Sequence, residues 1–151
     1  MTAEDNPPRR KYALSVFYPC YNEQDNVRRV VGEALVFLPA ISYDFEIILV
    51  DDGSRDRTGA IIDELAAGDP RIRGVHHPVN RGYGAALASG FRAATKKLVF
   101  YTDGDGQFDI TEMPRLLDLI DRYDIVSGCR RRRQDSLIRR LNAWLWGRLV
   151  T

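Results

Sequence analysis

The sequence predicts an α/β fold, a mostly parallel sheet flanked by helices. Two observations point there. Short apolar runs that suit strands buried on both faces alternate with segments whose apolar residues recur at helical spacing. Clusters of Asp, Asn and Gly follow three of those runs, as expected where strands of a parallel sheet end in turns.

In chain order, Ala13 to Pro19 reads as a first buried strand and Phe45 to Val50 as a second. Between them Val27, Val30, Val31, Ala34, Leu35 and Leu38 share one helical face, and Pro39 is expected to close that helix. Ser54 or Asp56 suits the cap of a second helix carrying Ile61, Ile62 and Leu65. Ile72 to Val75 is a weak third strand, Tyr83 to Ala94 a small-residue helix and Leu98 to Thr102 a fourth strand. Met113, Leu116, Leu117 and Ile120 mark another helix, with Ile125-Val126 as a strand after it. Strands that alternate with helices in this way build βαβ units.

Composition sets outer bounds. The chain has 151 residues, enough for one domain with a core, and is 44% hydrophobic and 28% charged. No apolar stretch approaches the roughly 18 residues that cross a bilayer. Cys20 and Cys129 belong to no C-x-x-C pair, so reduced thiols in a cytosolic setting are expected. Residues 1–11 lack a hydrophobic signal core and read as a disordered lead-in to one domain over 12–151. From Arg130 onward there are seven arginines and one acid, Asp135, a net charge of +6, whereas the preceding residues carry −5. A basic end on an acidic body suits an anionic partner.

Three polar clusters stand out: "PCYNE" (19–23), "DDGS" (51–54) and "DGDGQ" (103–107). Each follows a predicted strand. In a parallel sheet all three project from the same edge, where ligands bind, so they are expected to meet in one site. Carboxylates as crowded as those of residues 103–109 repel one another unless a cation, donors or open solvent relieve them.

"YPCYNEQDNV", "EIILVDDGSRDRTG", "NRGYGAALASGF", "TDGDGQFD" and "SGCRRRRQDSLIRR" occur in the order and spacing of the family 2 glycosyltransferases. They resemble most closely the polyprenyl-phosphate sugar transferases of the dolichyl-phosphate mannose synthase type. The resemblance runs from about Tyr12 to the last residue and implies the GT-A nucleotide-sugar transferase fold. It implies that Pro19, Tyr21, Glu23, Asp51, Asp52 and Asp103 bind the nucleotide. It also implies that Asp103, Asp105 and Gln107 lie on the metal side, with Mg²⁺ or Mn²⁺ as cofactor. Arg130 stands where relatives have Gly-Ser-Arg, here Gly128-Cys129-Arg130, and Arg139 or Arg140 where they have a second arginine for the acceptor phosphate. With Asp105 these arginines form the implied catalytic set. Such relatives generally continue further, with more of the acceptor side and often with membrane helices.

The implied activity is an inverting, metal-dependent transfer of a sugar from a nucleoside-diphosphate donor, GDP-mannose or a UDP-sugar, to a polyprenyl phosphate. A phosphate acceptor is ionised near neutral pH and needs no strong base. Between Gln107 and Gly128 only Asp109 and Glu112 stand out as candidate bases, which favours such an acceptor over a sugar hydroxyl. A nucleotide-sugar-binding module without turnover of its own, and transfer to a glycan hydroxyl, are the alternatives.

Other readings of the same residues fare worse. An EF-hand loop beginning at Asp103 needs Gly sixth and Glu twelfth, but Phe108 and Pro114 stand there. Gly82, Gly84 and Gly90 lack dinucleotide-loop spacing and are expected to let a helix start close to the sheet, with a direct substrate-loop role as the alternative. His76 and His77 are expected to be exposed or hydrogen-bonded rather than metal ligands. Aromatic residues do not interleave with arginines 130–133, so nucleic acid is not an expected partner. Residues 136–151, "SLIRRLNAWLWGRLVT", suit a basic amphipathic segment against an anionic membrane surface, on its cytoplasmic side, with Trp144 and Trp146 at headgroup level.

Overall fold

The computed structural model describes residues 12–128, in two units that divide after Pro114. The first unit holds a four-stranded, wholly parallel sheet with spatial order β3-β2-β1-β4. Its strands are β1 (Tyr12–Cys20), β2 (Ser42–Asp51), β3 (Ile72–His76) and β4 (Leu98–Tyr101). The helices between them are α1 (Val27–Ile41), α2 (Thr58–Gly68) and α3 (Tyr83–Ala93). The predicted βαβ alternation is therefore present in order.

Strand β1 is central, and its residues Leu14–Cys20 are all buried. A central parallel strand is covered on both faces, which is why this run is apolar rather than alternating. On one face Phe17, Ile48, Val50 and Ala86 form a cluster joined by Val75, Leu87, Ala93 and Ala94, so α3 packs there. On the other, a Cβ at Gly74 would stand 2.8 Å from Ile62 of α2. Gly74 and Val75 are neighbours on β3 and point to opposite faces, which puts α2 and α3 on opposite sides of the sheet. Helix α1 buries Val27, Val30, Val31, Ala34 and Leu38, the stripe expected from spacing.

Three details depart from expectation. Pro39 lies inside α1, which runs on to Ile41. Proline removes only the bond to Leu35 near the helix end, while Leu38 and Ile41 stay buried and the Ser42 amide bonds the Leu38 carbonyl. The fourth predicted helix is short: a 3₁₀ turn (Ile110–Glu112) leads into α4 (Met113–Leu117), followed by isolated turns to Tyr123. Ile125-Val126 forms no strand among the described residues. Ile125 is 87% exposed, and two apolar residues without a ladder partner do not hold extended pairing. No helix of the described residues is long and apolar enough to cross a membrane. Residues 1–11, and Cys129 with the basic segment that follows it, lie outside the described residues.

Candidate functional site

The parallel register aligns the three polar clusters. Cys20 pairs with Asp51, Asp51 with His76, and Phe17 with Tyr101. The ladder continues past the strand ends: the Asp52 amide donates to the Cys20 carbonyl, His77 to Asp51 and Gly104 to Pro19. Gly104 has to be glycine, because a Cβ there would meet Cys20 Sγ at 2.9 Å and the Pro19 carbonyl at 3.2 Å. The "DGDG" loop thus lies directly beside "PCYNE".

The result is a cleft of about 410 Å³. Of the predicted site residues it is lined by Pro19, Tyr21, Glu23, Asp52, Asp103 and Asp105. Asp51 and Gln107 do not line it, and Arg130, Arg139 and Arg140 lie outside the described residues. Asn80, Gly82 and Tyr83 line it as well; of these, the sequence reading offers a substrate-loop role only to Gly82, and that as the alternative. They follow β3, so the rule that points to the other three strand ends applies to them too, although helix packing is the first reading of the "NRGYG" glycines. That reading holds for Gly90, whose missing Cβ leaves room for the Phe17 ring. Gly82 has φ +88° and turns the chain into α3.

The loops are tied together by their own polar groups. The Asn22, Glu23 and Gln24 amides donate to Ser54 Oγ, Thr58 Oγ1 and Asp56 Oδ2 at 3.0, 2.8 and 3.2 Å. In return the Arg55 and Arg57 amides donate to the Asn22 and Gln24 side chains at 2.9 and 3.1 Å. Asn22 has φ +57°, a conformation asparagine tolerates better than most residues. The "SRDRT" stretch therefore fixes the loop that carries Tyr21 and Glu23. Of the two cap candidates, Asp56 accepts the Thr58 amide at 2.9 Å, whereas Ser54 bonds across to Asn22.

Both aspartates of "DDGS" are buried and bonded. The Ser54 amide donates to Asp51 Oδ1 at 2.9 Å, and His76 Nδ1 lies 3.3 Å from Oδ2. Asp52 Oδ1 meets His77 Nδ1 at 2.6 Å and accepts the Arg81 amide, and its Oδ2 accepts the Gly82 amide, both at 2.9 Å. His77 Nε2 in turn lies 2.9 Å from Ser89 Oγ on α3. Burial acts to raise the Asp52 pKa, but the bonds from His77, Arg81 and Gly82 more than offset it and hold this carboxyl below its ordinary range. Both histidines are hydrogen-bonded, as expected. Cys20 is buried, and that burial pushes its thiol pKa well up, which leaves it unreactive.

At the other wall Tyr83 Oη donates to Asp103 Oδ1 at 2.9 Å, and the Gln107 amide donates to Asp105 Oδ1 at 2.9 Å. Burial, then the bond to Asp103, pushes the Tyr83 phenol up to about 12 and keeps it a donor. Glu23, Asp52, Asp103 and Asp105 make the cleft acidic, and no Lys or Arg stands among the described residues that line it. No group of three or more His, Cys, Asp or Glu side chains among the described residues is placed to hold a metal ion. Asp103 and Asp105 offer a pair of hard oxygen donors. That fits a cation such as Mg²⁺ or Mn²⁺, which takes one or two carboxylates and completes its shell with phosphate and water.

Comparison with known proteins agrees with this fold. An undecaprenyl-phosphate 4-deoxy-4-formamido-L-arabinose transferase of Pectobacterium atrosepticum is 39% identical over 131 residues, 85% of this chain and 40% of that protein. The chain thus spans about 40% of the length of the first curated relatives it matches. Among solved structures, a mannosyltransferase of Pyrobaculum calidifontis in complex with GDP-Man and Mn²⁺ superposes with a TM-score of 0.55 at 25% identity, over 65% of this chain and 29% of that one. The glucosyl-3-phosphoglycerate synthase of Mycobacterium tuberculosis superposes at 0.57 and 25% identity, over 73% and 41%. These neighbours share the GT-A fold expected from the sequence. With its family profile matching residues 15–149, the chain belongs to Glycosyl transferase family 2.

Proposed function

We propose that the chain carries the donor-binding half of an inverting glycosyltransferase that moves a sugar from a nucleoside diphosphate to a polyprenyl phosphate. The observation that carries this reading is the acidic cleft at the strand ends. A sugar diphosphate is anionic, and four carboxylates line the cleft without a described lysine or arginine among them. Such a donor needs a cation between itself and the protein. Curated relatives named as undecaprenyl-phosphate sugar transferases support the acceptor, and the GDP-Man and Mn²⁺ of a structural neighbour support the donor and metal classes.

Tyr21, Glu23 and the backbone around Pro19 form the wall for base and ribose, on a loop fixed by "SRDRT". Asp103 and Asp105 would hold Mg²⁺ or Mn²⁺ against the diphosphate. When bound, that ion stabilises the negative charge that develops on the leaving diphosphate. An oxygen of the acceptor phosphate attacks the anomeric carbon from the face opposite the diphosphate. The new C–O bond forms as the old one breaks, and the electron pair leaves with the diphosphate. Arg130, Arg139 and Arg140 are assigned to the acceptor phosphate, and the basic segment 136–151 to an anionic membrane surface on the cytoplasmic side. A panel of GDP-mannose, UDP-glucose and UDP-N-acetylglucosamine, incubated with polyprenyl phosphate and Mn²⁺, tests the reaction by mass spectrometry. A glycosylated prenyl phosphate from one donor is expected; release of nucleoside diphosphate from a donor with no glycosylated prenyl phosphate would overturn the acceptor.

A second reading is favoured by the length comparison. The chain spans about 40% of its curated relatives, so the donor half can bind without turning over. Tight metal-dependent donor binding with no product in the same panel would select it.

A further inference from the structure

The two carboxylates assigned to the cation are held in different ways. Asp105 is held locally, by the Gln107 amide two residues on. Asp103 is held from another part of the chain, by the Tyr83 hydroxyl twenty residues earlier. Tyr83 stands on a fixed base as the first residue of α3. The amides just before it, Arg81 and Gly82, both donate to buried Asp52, and the Gly82 carbonyl accepts the Ala85 and Ala86 amides at 3.0 and 3.2 Å. Further along α3, Ser89 meets His77, which is bonded to the same Asp52. Asp52 therefore ties α3 to β2 at two points, one on each side of Tyr83.

Resting on the donor-half reading above, we propose that Tyr83 is a positioning residue for Asp103. Its hydroxyl takes Oδ1 and leaves Oδ2 as the oxygen offered to the cation and, through it, to the diphosphate. Hydrogen bonds from such neighbours fix the geometry of a ligating carboxylate, and their loss commonly weakens metal binding 10- to 100-fold. Asp52, His77 and Ser89 form the frame that holds Tyr83 in place. Asp52 thus serves the site by fixing the 80–83 wall, with both of its oxygens occupied by protein donors.

Tyr83→Phe removes a single oxygen from a half-exposed ring and is expected to leave the fold intact, checked by circular dichroism. Mn²⁺ binding to the full chain is followed by the EPR signal of the free ion, alone and with GDP or UDP. Nucleotide binding is measured in parallel by calorimetry in EDTA. The expected result is a wild type that binds Mn²⁺ with nucleotide, and a variant whose Mn²⁺ dissociation constant rises about 10-fold while its metal-free nucleotide affinity is unchanged. An unchanged or tighter Mn²⁺ constant overturns the proposal and leaves the donor-half reading standing. Equal weakening of metal-free nucleotide binding also overturns it, making Tyr83 a nucleotide contact. A wild type with no metal-linked binding removes the donor-half reading and this proposal with it, and the wild-type arm alone reveals that.

Discussion

Asp52 shows how one residue decides what a motif is for. In the sequence it is one of a pair of acids and looks like a ligand-binding side chain. In the fold it is 3% exposed, and the Arg81 and Gly82 amides and His77 Nδ1 all converge on it. Asp52→Ala would strand these buried groups without an acceptor. A loss of about 3 kcal/mol in unfolding free energy is expected in urea titration, well above the cost of an ordinary surface change. Asp105→Ala should do the opposite: little change in urea, but loss of metal-dependent donor binding. The "DDGS" and "DGDGQ" acids look alike in sequence because residue type does not reveal burial. Their different surroundings come from the strand register and from a loop, 77–82, far away in the chain.

At the scale of elements, glycines and one glutamate set the spacing of helices on the sheet. Gly90 faces the Phe17 ring of β1, whereas Gly84, in the same helix, has open space around it. Gly90→Val is expected to destabilise by about 2 kcal/mol through overpacking. Gly84→Ala should stabilise by up to about 1 kcal/mol through helix propensity. Thermal melts of the pair, with shifts of opposite sign, check this. At the far end of the sheet Glu46 accepts from Ser15 Oγ and from the amide and hydroxyl of Thr95, and pairs with Arg73 at 3.0 Å. Burial acts to raise its pKa, but these bonds bring it below the ordinary glutamate range. A lowered folded-state pKa contributes stability that is present above the unfolded value, about 4.3, and is lost as pH falls through the folded one. Wild type should therefore lose its margin over Glu46→Gln as pH drops below about 4, read from urea midpoints. The sheet itself was legible from the sequence because its strands are buried runs of hydrophobic residues. The helix end at Pro39 and the strand at Ile125-Val126 are where structure departs from sequence, because packing outweighs proline in the first and no ladder partner supports the second.

On the scale of the whole molecule, a parallel sheet gathers scattered clusters at one edge, and that rule made most of the site visible in advance. Pro19, Tyr21, Glu23, Asp52, Asp103 and Asp105 do share one cleft. The wall formed by Asn80, Gly82 and Tyr83 is less legible in the sequence, because its residues are uncharged and lack the density of charge that marks the others. The acidity of the assembled cleft is a property no single motif shows, and metal-dependent donor binding is the property of the protein that follows from it. The basic end offers a separate check: Trp144 and Trp146, the only two tryptophans, should shift their emission to the blue with anionic vesicles and shift less at high salt. The most direct measurement is calorimetric titration of GDP-mannose, UDP-glucose and UDP-N-acetylglucosamine into the full chain, with Mn²⁺ and again with EDTA. At least one donor should bind with Mn²⁺ at least 10-fold more tightly than in EDTA, and Asp105→Ala should abolish that difference. A donor that binds equally well in both conditions, or whose Mn²⁺ dependence survives Asp105→Ala, would contradict the metal-bridged cleft.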